Sequence, residues 1–318
     1  MEGLNAPRGL IVDLITPFKA DGAIDEVGLG RLLGGTIPFA QAILLAGPEG
    51  GEGKKMDPFR RTELLQKALP IIRERVPVFV WVTQETPEKT KTTVITLRNL
   101  IDTQRYSGPV FWVDSPLYYH SNRGLPGYYK EMCSAVNEPF ILHNDPKLIK
   151  EAGAPLKRNN IRTAILKELA GIKNIVGIIF SGSLDRAHHY QKAVRARTSF
   201  RIYDGDESHF LDHPSMSGVV SIGANLAPAA WQRIAMTSLH LGNSHGDYPD
   251  SLRQVWEVGR YLRELKDAYQ QMPAALVKEI LLNMGMTETP GIHPHSENFR
   301  HSADKLRELM TSYNNYSS

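Results

Sequence analysis

The chain carries 318 residues, 42% hydrophobic and 22% charged, with 37 basic against 34 acidic side chains and a formal charge of +3. Near-balanced charge without a Lys/Arg block speaks against a nucleic-acid partner, and no apolar run approaches the length of a membrane span. The single cysteine, Cys133, cannot close an internal disulfide, and the first residues lack a basic-then-apolar signal pattern, so a cytoplasmic protein is expected.

Leu10–Ile15 is a short apolar run of the kind buried on both faces, stopped by Thr16-Pro17 because proline removes a ladder donor. Asp21-Gly22 is a turn, and Asp25 caps a helix through Leu33. Ala42–Ala46 is a second strand that runs into the Gly-rich stretch Gly47–Gly53. Asp57-Pro58 places a cap and a first-turn proline before a helix over Phe59–Arg75, whose apolar residues recur at helical spacing. Val76–Val82 is a third strand, and Thr86-Pro87 opens a helix to about Thr103. Val110–Val113 is strand four and Leu125–Val136 a helix. Pro139–His143 is strand five, with a helix near Asn160–Leu169. Ile175–Phe180 is strand six, Leu184–Ala196 a helix, Phe200–Tyr203 strand seven and Gly218–Ile222 strand eight. Eight strand-then-helix units in about 230 residues predict an α/β fold of the (β/α)8 barrel type. Beyond Trp231 the segments Ser251–Tyr269, Pro273–Met284 and Ser296–Tyr313 read as helices. The expected organisation is a barrel over residues 1–230 and a C-terminal helical extension over 231–318.

Several motifs, in order along the chain, resemble those of the dihydrodipicolinate synthase / N-acetylneuraminate lyase family. Thr16-Pro17-Phe18 with Asp21-Gly22 and Ile24-Asp25 is similar to its opening T-P-F…D-G-x-(I/V)-D, and Gly47 to Asp57 resembles its G-T-T-G-E loop, with Gly51-Glu52 as the G-E. Ser115-Pro116 with Tyr118-Tyr119 is similar to T-P-Y-Y, and His143-Asn144-Asp145-Pro146 stands where the family has Y-N-x-P. Tyr203-Asp204-Gly205-Asp206, Gly218–Asn225 and Pro273–Lys278 match later pieces. The sixth-strand frame N-I-V-G-I-K-E-A-S-G-D is held by Asn174, Ile175, Val176, Gly177, Ile178, Ser181 and Asp185, but its Schiff-base Lys position is Ile179.

In the family that Lys attacks the carbonyl of a 2-oxo acid, and the iminium withdraws electrons from the adjacent carbon. An aliphatic side chain cannot. The Tyr that relays protons is replaced by His143, the Thr pair of the loop by Pro48-Glu49-Gly50, and the Arg that binds a carboxylate by Leu148. The resemblance therefore implies a divergent member that binds a small oxo- or hydroxy-acid at the barrel mouth without a Schiff base, running a lysine-independent lyase or dehydratase step. The other readings are a non-catalytic binding or regulatory homologue and an aldolase with a relocated lysine, with Lys147 or Lys150 the nearest amines.

Strand parity puts Asp13 with Ile11 and Ile15, and the resemblance implies that this face looks into the barrel, where a lone carboxyl must be hydrogen-bonded, paired or protonated. With His143 it could form an acid/base dyad; the bland reading bonds Asp13 to backbone amides and lets His143 fill volume. The expected catalytic residues are Asp13, His143, Glu49, Tyr118 and Tyr119, and the expected substrate contacts are Gly47, Gly51, Glu52, Asn144, Lys147, Ser181, Gly205 and Asp206. The Gly47–Gly53 stretch matches no phosphate-binding fingerprint. His209 and His213 are four apart, but that spacing is common by chance, so neither a metal nor an organic cofactor is expected. By the resemblance, Tyr118-Tyr119 also implies a homodimer or homotetramer.

Overall fold

The structure is a computed structural model that describes residues 5–152, 158–214, 217–239, 248–288 and 297–314. Eight strands close a parallel barrel in sequence order: β1 Gly9–Asp13, β2 Ala42–Leu45, β3 Val78–Trp81, β4 Val110–Asp114, β5 Phe140–Asn144, β6 Ile175–Phe180, β7 Arg201–Asp204 and β8 Gly218–Ser221. Around them run α1 Glu26–Thr36, α2 Pro58–Ile72, α3 Pro87–Thr103, α4 Leu125–Ala135, α5 Pro146–Glu151, α6 Thr163–Ala170, α7 Leu184–Val194, α8 Glu207–Asp212 and α9 Pro228–Ser238. The helices α10 Tyr248–Tyr269, α11 Pro273–Asn283 and α12 Glu297–Asn314 complete the chain. The expected strands and fold class are all present.

Short polar side chains start the helices. Asp25, Asp57, Thr86, Asp145, Ser183 and Asp206 each accept a hydrogen bond from a first-turn amide of the helix they precede. Each such cap stabilises its helix by roughly 1 kcal/mol. Side chains alternating inward along the strands make a separate inner core that includes Ile11, Leu44, Phe79, Phe111, Ile141, Ile179, Tyr203 and Val220. Outward-facing residues join the helices in a larger core that also takes in Trp231, Leu262 and Leu276 from α9, α10 and α11.

Differences from the expected boundaries have local causes. β1 ends at Asp13, although Leu14 N still donates to Leu44 O at 3.0 Å. α5 has only six residues, too few to show a period. α9 spans the expected division at residue 230, and its Trp231 is fully buried in the barrel's outer core. α12 starts at Glu297, and Ser296 lies outside the described residues. Among the described residues no helix is long and apolar enough to cross a membrane.

One buried cation fixes the turn after β2. Arg61 on α2, 1% exposed, donates to Gly53 O at 3.0 Å, Met56 O at 3.4 Å and Thr83 O at 3.2 Å, and its guanidinium lies 5.1 Å from the centre of the Trp81 ring. Burial lowers its pKa to about 10. Arg61→Ala should cost about 2–4 kcal/mol, because it leaves buried carbonyls without donors. Urea unfolding measures this, and a midpoint equal to that of the wild type would contradict it.

Candidate active site at the barrel mouth

At the C-terminal ends of the strands lies a cavity of about 320 Å³. This is the face where barrel enzymes carry chemistry, because the βα loops gather there. Its floor is apolar: Leu44, Val113, Ile179 and Val220 come from β2, β4, β6 and β8. Ile179 is 1% exposed and pairs in register with His143 on β5 and Tyr203 on β7. No lysine occurs on any of the eight strands.

Asp13 closes β1 with its carboxyl in this cavity and is 5% exposed. Its Oδ2 accepts from Gly50 N at 3.2 Å, while Oδ1 has no hydrogen-bond partner. The turn after β2 passes so close that a Cβ on Gly47 would sit 1.9 Å from Oδ1. Only a residue without a side chain fits there. Burial raises the Asp13 pKa to about 7, opposed by the Gly50 and Gly51 amides and assisted by the negative charges of Glu49 and Glu207.

His143 is held from behind. Trp81 Nε1 donates to Ser115 Oγ at 2.9 Å, and Ser115 Oγ lies 2.7 Å from His143 Nδ1. Indole nitrogen is a donor only, so Ser115 Oγ accepts from it, and we assign the hydroxyl's own proton to Nδ1. That assignment puts the imidazole proton on Nε2. Burial lowers the His143 pKa to about 4, and the Glu49 carboxylate only partly opposes this, so the ring is neutral near pH 7. No hydrogen bond joins Asp13 to His143. The expected dyad is therefore two separate groups in one cavity, both influenced by Glu49.

The rim is more polar than expected. Lys147 and Asp145 enter from the start of α5, and Asp206 and Glu207 from the start of α8, with Ser181 and Gly205 beside them. Lys266, Tyr269 and Gln270 come from the end of α10 or just past it. Glu207, 5% exposed, accepts from Ser221 Oγ at 2.6 Å, from Gly223 N at 2.8 Å and from Tyr269 Oη. Lys266 Nζ stands 4.0 Å from Glu207 Oε2 and 5.4 Å from the centre of the Tyr269 ring. Glu207, Lys266 and Tyr269 were not expected from the sequence, since the fold brings them in from distant segments.

Of the expected residues, Asp13, Glu49, His143, Lys147, Ile179, Ser181, Gly205 and Asp206 line the cavity. The others do not. Glu52 forms an ion pair with the buried Lys278 of α11, so its carboxylate holds the loop to the extension. Asn144 faces outward, accepting from Ile161 N at 2.8 Å and donating to Asn159 O at 2.9 Å, which fixes the loop before α6. Tyr119 donates to the buried Asp114 at 2.6 Å. Tyr118 packs on the inner core and lines a different groove, with Lys55 and Trp81. Gly47 and Gly51 contribute backbone around Asp13 and do not line the cavity. Lys150 is exposed and also outside it. His209 Nδ1 sits 2.8 Å from Asp204 Oδ1, and the His209 and His213 rings pack edge to face with centroids 6.1 Å apart, outside the mouth cavity.

Comparison with known proteins agrees with this architecture. The sequence profile of the dihydrodipicolinate synthetase family matches residues 6–311. A 4-hydroxy-tetrahydrodipicolinate synthase of Methanococcoides burtonii is 27% identical over 314 residues, 95% of this chain and 98% of that protein. A probable 2-dehydro-3-deoxy-D-pentonate aldolase of Escherichia coli is 25% identical over 313 residues, 95% of this chain and 96% of that protein. A monomeric dihydrodipicolinate synthase variant superposes with a TM-score of 0.78 at 24% identity, covering 98% of both chains. The Aquifex aeolicus dihydrodipicolinate synthase does so with 0.77 at 24%, covering 96% of this chain and 98% of its own.

Folding moves the two cavity groups in opposite directions. Asp13 holds its proton more tightly folded than unfolded, so its contribution to stability falls as pH rises from about 4 to 7. His143 holds its proton less tightly folded, so its contribution is lost as pH falls from about 6.5 to 4. Asp13→Asn should gain stability relative to wild type as pH rises over that first window, by on the order of 3 kcal/mol. His143→Phe should gain relative to wild type as pH falls through the second. Urea midpoints at several pH values check both trends, and pH-independent differences would contradict them.

Proposed function

This chain belongs to the dihydrodipicolinate synthetase family, and from that premise we propose that its barrel mouth binds a small oxo- or hydroxy-acid and acts on it without a Schiff base, as a lysine-independent lyase or dehydratase. One observation supports the reading: a cavity opens where the strands end, and Ile179, the β6 residue that the resemblance sets at the family's Schiff-base position, is buried in its floor. The activities of the relatives, a synthase and a probable aldolase, fit a small-acid substrate.

The remaining groups suit proton transfer. A carboxyl with a pKa of about 7 can take and return a proton near neutral pH. Asp13 is assigned the proton on the carbon next to the substrate's carbonyl, its carboxyl lining the cavity. The neutral His143, its Nδ1 turned to Ser115, offers Nε2–H to the oxygen on which charge then develops. The Glu49 charge acts on both. A second reading, an aldolase with a relocated lysine, draws support from Lys147 and Lys266, which line the same cavity. Cytoplasmic location and homo-oligomer formation belong to the same proposal. Tyr119, one of the two tyrosines that carried the oligomer expectation, bonds Asp114 of its own chain.

Thermal shift and calorimetry with pyruvate, 2-oxobutanoate, lactate, glycerate and gluconate test the reading. At least one acid should raise the melting temperature, because a ligand that binds only the folded state stabilises it. Asp13→Asn and His143→Phe should each weaken that acid about tenfold, the size of one hydrogen bond lost to a buried partner. No response to any acid would overturn the assignment of the site.

A further inference from the structure

The cavity floor repels a carboxylate. Leu44, Val113, Ile179 and Val220 offer it no donor, and Glu49 adds a like charge beside Asp13. An acid entering this site therefore needs a cation elsewhere on the wall, and the described residues lining the cavity include Lys147 and Lys266. They are not equivalent. Lys147 lies on the exposed face of α5, where its flexible stem is free in water and must be ordered on binding.

Lys266 is already ordered. Its side chain is 17% exposed, at the last turn of α10. The ammonium lies over the Tyr269 ring, and Tyr269 is itself fixed by donating to Glu207. Glu207 in turn has its oxygens occupied by Ser221, Gly223 and Tyr269. At 4.0 Å the lysine stands beyond hydrogen-bond distance from that carboxylate, and its Nζ makes no hydrogen bond among the described residues. The outcome is a cation whose charge is partly offset, whose stem is packed, and whose N–H donors are unspent beside the cavity. A charged donor in a fixed position binds an anion without paying for its own ordering.

We propose that Lys266 is the carboxylate anchor of this site. The acid group of the ligand meets Lys266 at the α8–α10 side, which leaves its oxo or hydroxyl carbon toward Asp13 and His143. The proposal rests on the small-acid reading of the site and adds to it the residue that fixes the ligand's direction. It also gives the C-terminal helices a role in recognition, since α10 carries the lysine.

The test uses the full chain and measures binding of the same five acids and of their methyl esters, which keep the shape and lose the charge. The wild type should bind the acid at least tenfold tighter than its ester. Lys266→Met should lose about 10- to 100-fold for the acid and leave the ester unchanged, so that the discrimination disappears. Lys266→Arg should keep most of it. Acid affinity unchanged in Lys266→Met would overturn the anchor while leaving the small-acid reading in place. Failure of the wild type to bind any of the acids would overturn that reading and the anchor with it. Should the methionine variant not fold, a wild type that binds ester and acid alike still overturns the anchor.

Discussion

Closing eight parallel strands on themselves turns every second side chain into a confined interior, and each of those positions is filled by a residue that cannot retreat to solvent. On β6 the inward residue at the mouth is Ile179, packed with Tyr203 and Val220 in the inner core. That location leaves no alternative rotamer that could be exchanged for chemistry: an isoleucine there adds apolar floor and nothing else. What the site can do is therefore decided by the groups around it.

Burial sets the protonation of those groups before any ligand arrives. Taking Asp13 out of water disfavours its anion, and taking His143 out of water disfavours its cation, so both shift toward neutrality for the same reason. The Gly50 amide limits the shift of Asp13, and the Ser115 hydroxyl selects which imidazole nitrogen carries the proton. Glu207 accepts from Ser221 on β8, the strand next to β1, and stands beside Lys266 and Tyr269 at the rim. The cavity thus has Asp13 on β1 and His143 on β5, across the barrel from it, with Lys266 of α10 at the rim on the β8 side.

Much of this was legible in the sequence, and for identifiable reasons. Apolar runs and helix caps such as Asp57-Pro58 gave the barrel, because both signals are local. The inward directions of Asp13 and His143 followed from the family resemblance, with strand parity only grouping Asp13 with its neighbours on one face. Tyr119 and Glu52 were legible as motif members but not as structural links, since their partners Asp114 and Lys278 are set by tertiary packing. Asn144 ends β5 beside a site residue, yet the alternation that points His143 inward points it outward. Lys266 and Tyr269 sit on a helix whose period announces amphipathicity and gives no indication of what its last turn covers. Glu207 gives no local signal of its role, because its partners Ser221, Gly223 and Tyr269 lie on other segments that only the fold brings together.

Incubating the full chain with pyruvate and borohydride, then weighing it intact, tests the central claim most directly, because hydride reduction locks any iminium into a covalent adduct. With Ile179 in the floor and Lys266 serving as a charge, the mass should stay that of the untreated protein. A gain of one reduced pyruvyl group, mapped by peptide digestion to Lys147, Lys266 or any other lysine, would contradict the account and return the protein to amine catalysis.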